Sequence, residues 1–217
     1  IFFAYHGALE RSSKARANMF RRQHLVDLVP SSLPHADLEA LAPNVEDTLV
    51  EPIVLDIEAD LDRIESGLDH VAGLDGKAAA TELQRMSELE TILARASKYL
   101  HPRHLVLCRI RRLWSRTARD LLSASPNTAM AEKLIYFSQE VRATQALFLP
   151  PTNLQVAQTA DDMAAGISVL LGNDRPRLFG AFPEICGTLS SAARTVASLQ
   201  DEANAIRKLY ADSLKIG

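Results

Sequence analysis

The sequence is short of most features that announce a function. It has two cysteines in 217 residues, Cys108 and Cys186, far apart and in no CxxC arrangement. That excludes a zinc ribbon and a disulfide framework, and makes a reducing compartment, cytoplasm or nucleus, the expected location. No apolar run approaches the ~20 residues that span a bilayer. The apolar opening is about five residues long and is followed, not preceded, by basic residues, the wrong order for a signal peptide. Neither sign of charge prevails: 24 basic and 27 acidic residues give a net charge of -3. A balance of that kind carries no bulk signal for nucleic acid or membrane, and neither is expected as a partner. A nucleophile elbow, a P-loop, a dinucleotide fingerprint and a paired-carboxylate motif are all missing, so the chain shows no complete active site.

What is present is helical periodicity. The exception is the opening, where Phe2-Phe3-Ala4-Tyr5 is short, aromatic-rich and closed by Gly7, and reads as a strand. Ser12-Ser13 then caps a short basic helix through about His24, and Pro30, Pro34 and Pro43 mark residues 25–50 as a connector. Pro52 fits the first turn of a helix whose face is Ile53, Ile57, Leu61, Ile64, Leu68 and Val71, ended by Gly73 and Gly76. The next face is Leu83, Met86, Leu89, Leu93, Ala96 and Leu100. His101-Pro102 breaks the chain before a third helix carrying Val106, Ile110, Leu113, Thr117 and Leu121. Asn127 or Thr128 caps a fourth with Met130, Leu134, Phe137, Val141 and Phe148, and Asn153 follows a Pro150-Pro151 break to cap a fifth, stopped by Gly172. From Ile185 to Tyr210 the apolar residues alternate steps of four and three, a heptad seam expected to pack on the preceding helices; Gly187 costs about 1 kcal/mol relative to Ala, which leaves both one long helix and two shorter ones open. Six helices on short turns give a mainly α fold, an antiparallel helical-hairpin array like tetratricopeptide repeats, with the N-terminal strand added. No consensus of about 34 residues repeats, so the array is repeat-like only.

Three groups of residues stand out for chemistry. His101, His104 and Cys108 lie close together in "LHPRHLVLC", but a helix break, a first-turn position and the lack of an acidic or second cysteine partner argue for structural roles, and no metal site is expected. Arg109, Arg112, Arg116 and Arg119 form a stripe beside the apolar face of the third helix, a shape suited to phosphate or an acidic peptide. The segment from Asp27 to Asp75 is acidic, however, so pairing between neighbouring helices competes with ligand binding for those charges. Trp114, the only tryptophan, adjoins the apolar stripe and is expected in the core.

"IFFAYHGALERSSKARANMFRRQ" resembles the last strand and exit of the SET domain in SET-and-MYND (SMYD-type) protein-lysine methyltransferases. "YLHPRHLVLCRIRRLW" and "LPPTNLQVAQTADDMAAGISVLL" are similar to stretches in the helical C-terminal region of that family. The resemblance implies that residues 1–24 end a SET-like catalytic lobe and that 51–217 form the tetratricopeptide-like domain that shapes access to a protein or peptide substrate. It implies S-adenosylmethionine as the parent protein's cofactor, and Tyr5 as the phenol lining the channel where the lysine amine meets the methyl donor. On that reading the strand is a remnant of a larger sheet, and the fragment alone binds no cofactor and is inactive. One departure is plain: the zinc-binding cysteines expected just after Arg22 are replaced by "QHLVDLVPSSLP". The alternative is a helical protein-protein interaction module with no catalytic ancestry, offering its concave side or the arginine stripe to a peptide; a plain bundle or coiled-coil oligomer is a third reading, from the terminal heptad.

Overall fold

The structure, a computed structural model, describes residues 47–68 and 76–214. The strand expected at Phe2–Tyr5, the basic helix through His24 and most of the connector lie outside the described residues. Within them the chain forms helices α1 (Asp47–Leu68), α2 (Gly76–Ala96), α3 (Leu105–Ala124), α4 (Thr128–Phe148), α5 (Leu154–Asn173), α6 (Arg175–Ala181), α7 (Pro183–Cys186) and α8 (Leu189–Leu214). The mainly helical class is therefore as the periodicity predicts. No helix among the described residues is long and apolar enough to cross a membrane.

The described residues sort into two compact units. The first takes α1, the part of α2 from Leu83, and the chain to Ile110; the second takes the start of α2 to Glu82 and everything from Arg111 onward. In the first unit α1 buries Val54, Ile57, Leu61 and Ile64, a face close to the predicted one. Two boundaries differ from expectation. Pro52 lies inside α1, which starts at Asp47. The helix forgoes one backbone hydrogen bond there, because proline has no N–H to offer the preceding turn. Gly76 opens α2 instead of ending α1. On α2 the buried apolar residues are Met86, Leu89, Ile92 and Ala96, while Leu83 is 52% exposed. The predicted face included Leu83 and Leu93; the observed one is rotated toward Ile92, a choice that steps of three and four leave open. Arg95, late in α2, pairs with Asp56 and Asp60, and Glu88, earlier in α2, meets Arg63, later in α1. Those contacts fix α1 and α2 as antiparallel.

In the second unit α5 is the central element, packed against both α4 and α8. Its composition explains the position. Among its 20 residues only Asp161 and Asp162 are charged, so it is apolar nearly all round, the pattern of a helix enclosed by neighbours. Asn127 caps α4 by accepting the Met130 N–H, and Asn153 caps α5 by accepting the Gln155 N–H, both at 2.9 Å. Gly172 does not stop α5, which continues to Asn173. The stop comes from Asp174, whose N–H donates to Leu170 O while its carboxylate accepts the Arg177 N–H and starts α6. Pro176, within the first turn of α6, has no N–H to return to the α5 carbonyls. Of the two forms open to the terminal seam, the structure has the divided one, with the break at Gly187. Thr188 and Ser191 exchange hydrogen bonds, Ser191 N–H to Thr188 Oγ1 and Thr188 N–H to Ser191 Oγ, a reciprocal cap that begins α8. Ala192, Leu199, Ala203 and Ile206 of the predicted seam are buried, whereas Leu189 and Tyr210 at its ends are exposed.

Gly166 sets the closeness of α4 and α5. A Cβ there would stand 2.8 Å from Ile135 Cγ1 and 2.9 Å from the Ala131 carbonyl oxygen. Residues early in α4 thus meet a residue late in α5, the antiparallel arrangement that a short Leu149–Asn153 connection favours. Gly166→Ala gains about 1 kcal/mol of helix propensity but forces the two helices apart, and overpacking costs about 1–3 kcal/mol. At Gly172 a Cβ meets nothing within 4 Å. Thermal unfolding should show Gly166→Ala lowering the midpoint and Gly172→Ala leaving it unchanged or raising it.

Candidate functional site

The arginine-rich helix α3 begins at the "LHPRH" turn, which the structure builds as a cap. His104 N–H donates to His101 O, and His104 O accepts the Cys108 N–H, the first bond of the helix. The His104 ring finishes the job: its Nδ1 accepts the Val106 N–H at 3.1 Å. The imidazole is therefore neutral, with the remaining proton on Nε2. Burial, with a smaller push from His101, holds its pKa down at about 4. His101 does similar work at the surface, its Nδ1 accepting the Arg103 N–H. Cys108 is a buried thiol. Among the described residues no three His, Cys, Asp or Glu side chains gather closely enough to hold a metal ion.

The four arginines of the predicted stripe meet different fates. Arg109 is fully buried in the first unit, where its Nη2 lies 2.6 Å from Asp62 Oδ1 and also bonds Glu65. Burial alone pulls the pKa of this guanidinium down, but the charges and hydrogen bonds of Glu65 and Asp62 outweigh that and raise it. Arg109 thus neutralises the acidic face of α1, as Arg95 does one helix away. A groove of about 330 Å³ in the same unit is walled by Asp60, Arg63, Glu88 and Arg95. Their charges are already paired with one another, which leaves little to attract a charged ligand.

The other three belong to the second unit. Arg112 is half-buried, Arg116 is exposed, and Arg119 is 32% exposed. Steps of four and three place them within about 60° of arc on α3. Trp114, two residues from Arg112 and so on the opposite side of α3, is buried, its ring edge-on to Phe137 with centroids 5.0 Å apart and Lys133 Nζ 5.2 Å above it. The core position expected for Trp114 is the observed one.

Arg119 reaches the feature that sequence reasoning passed over. Its Nη1 stands 2.9 Å from Oδ1 of Asp162 on α5, a carboxylate only 3% exposed. That oxygen has no aligned hydrogen-bond donor, so the contact is a charge pair without a directed bond. Burial is the larger effect and pushes the Asp162 carboxyl up to about 7, against the pull of Arg119 and Arg112 and with a push from Asp161 and Asp120. Asp161 itself turns outward and pairs with Arg207 of α8. The signal for Asp162 was in the sequence: when two adjacent carboxylates are the only charges on an enclosed helix, they point about 100° apart, and both cannot reach solvent. Tyr5, the remaining predicted site residue, lies outside the described residues.

The buried His104 makes stability depend on pH in a definite direction. Its folded pKa of about 4 lies below the ordinary 6.5, so between those values the unfolded chain holds more protons and stability falls as pH falls. The loss reaches about 3 kcal/mol by pH 4 and is absent above pH 6.5. Asp162 slopes the opposite way over a similar range, so the comparison must be made between variants at one pH. His104→Asn keeps a capping acceptor but cannot be protonated. In urea unfolding the wild type should equal or exceed it at pH 7 and fall below it at pH 4.5.

In comparisons with known proteins, the chain matches no family model and no curated protein sequence.

Proposed function

We propose that this chain is the helical C-terminal region of a SMYD-like protein-lysine methyltransferase, with an array that shapes how a protein or peptide substrate approaches the catalytic lobe. The observation that supports the reading is where the resembling stretches fall. "YLHPRHLVLCRIRRLW" spans the His104 cap and the first half of α3, and "LPPTNLQVAQTADDMAAGISVLL" spans the Asn153 cap and most of α5. Both are starts of helices at the connections of an array, where a shared architecture would retain sequence. A tetratricopeptide-like hairpin arrangement and a terminal SET strand ending at Tyr5 belong to this reading. In it, S-adenosylmethionine is the cofactor of the intact protein, held by segments other than these helices. The Tyr5 phenol orients the lysine amine for methyl transfer.

The test is made in the natural protein that carries this chain. Tritiated methyl transfer from S-adenosylmethionine to a lysine-containing peptide library should be detectable. Tyr5→Phe should reduce it on the order of 10²-fold, as loss of one oriented hydroxyl at a reacting centre does. The thermal midpoint should not change. Transfer unaffected by the substitution would exclude the role of Tyr5, and a protein that transfers no methyl group to any peptide would exclude the enzyme.

One observation favours a second reading, a helical module that binds an acidic peptide without catalysis. Arg116 is exposed and takes part in no ion pair among the described residues, with Arg112 and Arg119 beside it. On this reading Arg116→Glu weakens binding of a fluorescein-labelled deca-glutamate peptide at least tenfold in anisotropy titrations while leaving the unfolding midpoint unchanged. Equal affinity in the variant removes the surface from consideration.

A further inference from the structure

We infer that Ser125, in the turn between α3 and α4, is a phosphorylation site for a proline-directed protein kinase, with a nucleoside triphosphate as the phosphoryl donor. The inference is independent of both readings above, since it needs neither a catalytic lobe nor the arginine stripe.

The sequence supplies the first step. Of the ten prolines, only Pro126 follows a serine or threonine. Proline has no N–H, so a kinase pocket that offers no acceptor to the residue after the hydroxyl takes Ser-Pro without leaving a buried donor unpaired. Any other residue at that place would strand its amide. Proline also keeps the residue before it out of the helical region. Asn127, after it, is extended, with φ -136° and ψ 115°. The chain from Ser125 to Asn127 is thus an open segment between two helices, a shape that an enzyme cleft can take up.

Access is the second step. Residues 123–127 are all exposed. Ser66, Thr91, Ser123 and Ser168 lie in helices, and each commits its hydroxyl to a backbone carbonyl about one turn back. Ser125 differs: its N–H donates to Leu121 O, and its Oγ has no hydrogen-bond partner among the described residues. The end of α3 can also loosen. Leu121 and Leu122 are its last buried residues, so unwinding Ser123 and Ala124 lengthens the open segment without exposing the core.

Third, the fold accommodates the product. Asn127 takes the Met130 and Ala131 N–H groups on its Oδ1 and O, which leaves the Thr128 and Ala129 amides as the open donors at the start of α4. The first turn of α4 holds no acidic residue. A phosphate carries about -1.5 to -2 charge at pH 7. The positive end of α4 favours that charge and the last carbonyls of α3 oppose it, so the net effect on stability is small.

The transfer balances as an ordinary displacement. Ser125 Oγ attacks the γ-phosphorus, and the new Oγ–P bond forms as the bond to the β–γ bridging oxygen breaks. The electron pair leaves on the nucleoside diphosphate, and the hydroxyl proton passes to the kinase's catalytic aspartate.

The experiment treats the folded 217-residue chain with a proline-directed kinase and radiolabelled ATP, beside a synthetic peptide of residues 118–131. Peptide mapping should place one phosphoryl group on Ser125, with kcat/KM for the folded chain within about tenfold of that for the peptide. Ser125→Ala should take up none at this site and keep the wild-type unfolding midpoint, because its hydroxyl holds nothing. Pro126→Ala should react at least tenfold more slowly although the serine remains, and the same change in the peptide keeps the test readable should the variant unfold. The phosphorylated chain should unfold within about 4 °C of the unmodified one. Label on the peptide but not on the folded chain overturns the site, because the turn is then closed to an enzyme. Label only at other residues, a rate unchanged by Pro126→Ala, unfolding on phosphorylation, or no label on chain or peptide overturns it as well.

Discussion

The second unit depends on enclosing α5. A helix of 20 residues with two charges cannot face water on any broad side, so neighbours must cover it. Small residues decide how closely they come. Ala157, Ala160, Ala164 and Gly166 are buried on α5, and Gly166 brings the α4 backbone so near that a single methyl group has no room. Small side chains bury little apolar area each, but they let backbones approach and let larger neighbours such as Leu134 and Ile135 fill the gap.

Enclosure forces the question of where charge goes, and the two units answer it differently. In the first, a buried arginine meets half-exposed carboxylates: Arg109 is inside, while Asp62 and Glu65 keep contact with water. Two acids, both hydrogen-bonded to Nη2, hold the guanidinium charged against its burial, while its Nε and Nη1 are buried without hydrogen-bond partners. In the second, the buried partner is the acid. Burial works against the charge of Asp162, its pairing with Arg119 is poorly aligned, Arg112 adds a weaker pull, and two neighbouring carboxylates oppose it, so its ionised form is barely held at neutral pH. The same pair of residue types is a fixed strut in one place and a titratable contact in the other.

Charge pairing also recurs at the surface of the second unit, with a geometrical consequence. Arg207 to Asp161, Arg142 to Glu202 and Arg177 to Glu132 each join different helices. Exposed pairs of this kind contribute about 0–1 kcal/mol each. Their greater use is register: Asp161 is early in α5 and Arg207 late in α8, so the pair favours one antiparallel setting of a helix whose seam is mostly alanine and leucine.

Much of the fold could be read from the sequence because it is local. Asn127 and Asn153 precede periodic runs and satisfy the first amide groups of their helices whatever lies elsewhere in the chain. The break at His101-Pro102 is local in the same sense. The phase of α2 was not, because a face spaced by three and four can turn toward Ile92 or Leu93, and the neighbours choose. Pro52 inside α1 and Gly172 inside α5 show the same limit, since a helix end is set by whether the next turn can be packed and capped. The arginine stripe was legible as a pattern of sequence, but burial, which depends on residues far along the chain, divided it into an interior cation at 109, an exposed one at 116 and a shared one at 119. Sequence alone fixed where backbone groups had to be satisfied by their own neighbours; tertiary structure alone decided which charges lost water, because desolvation is a property of what surrounds a residue and not of the residue itself.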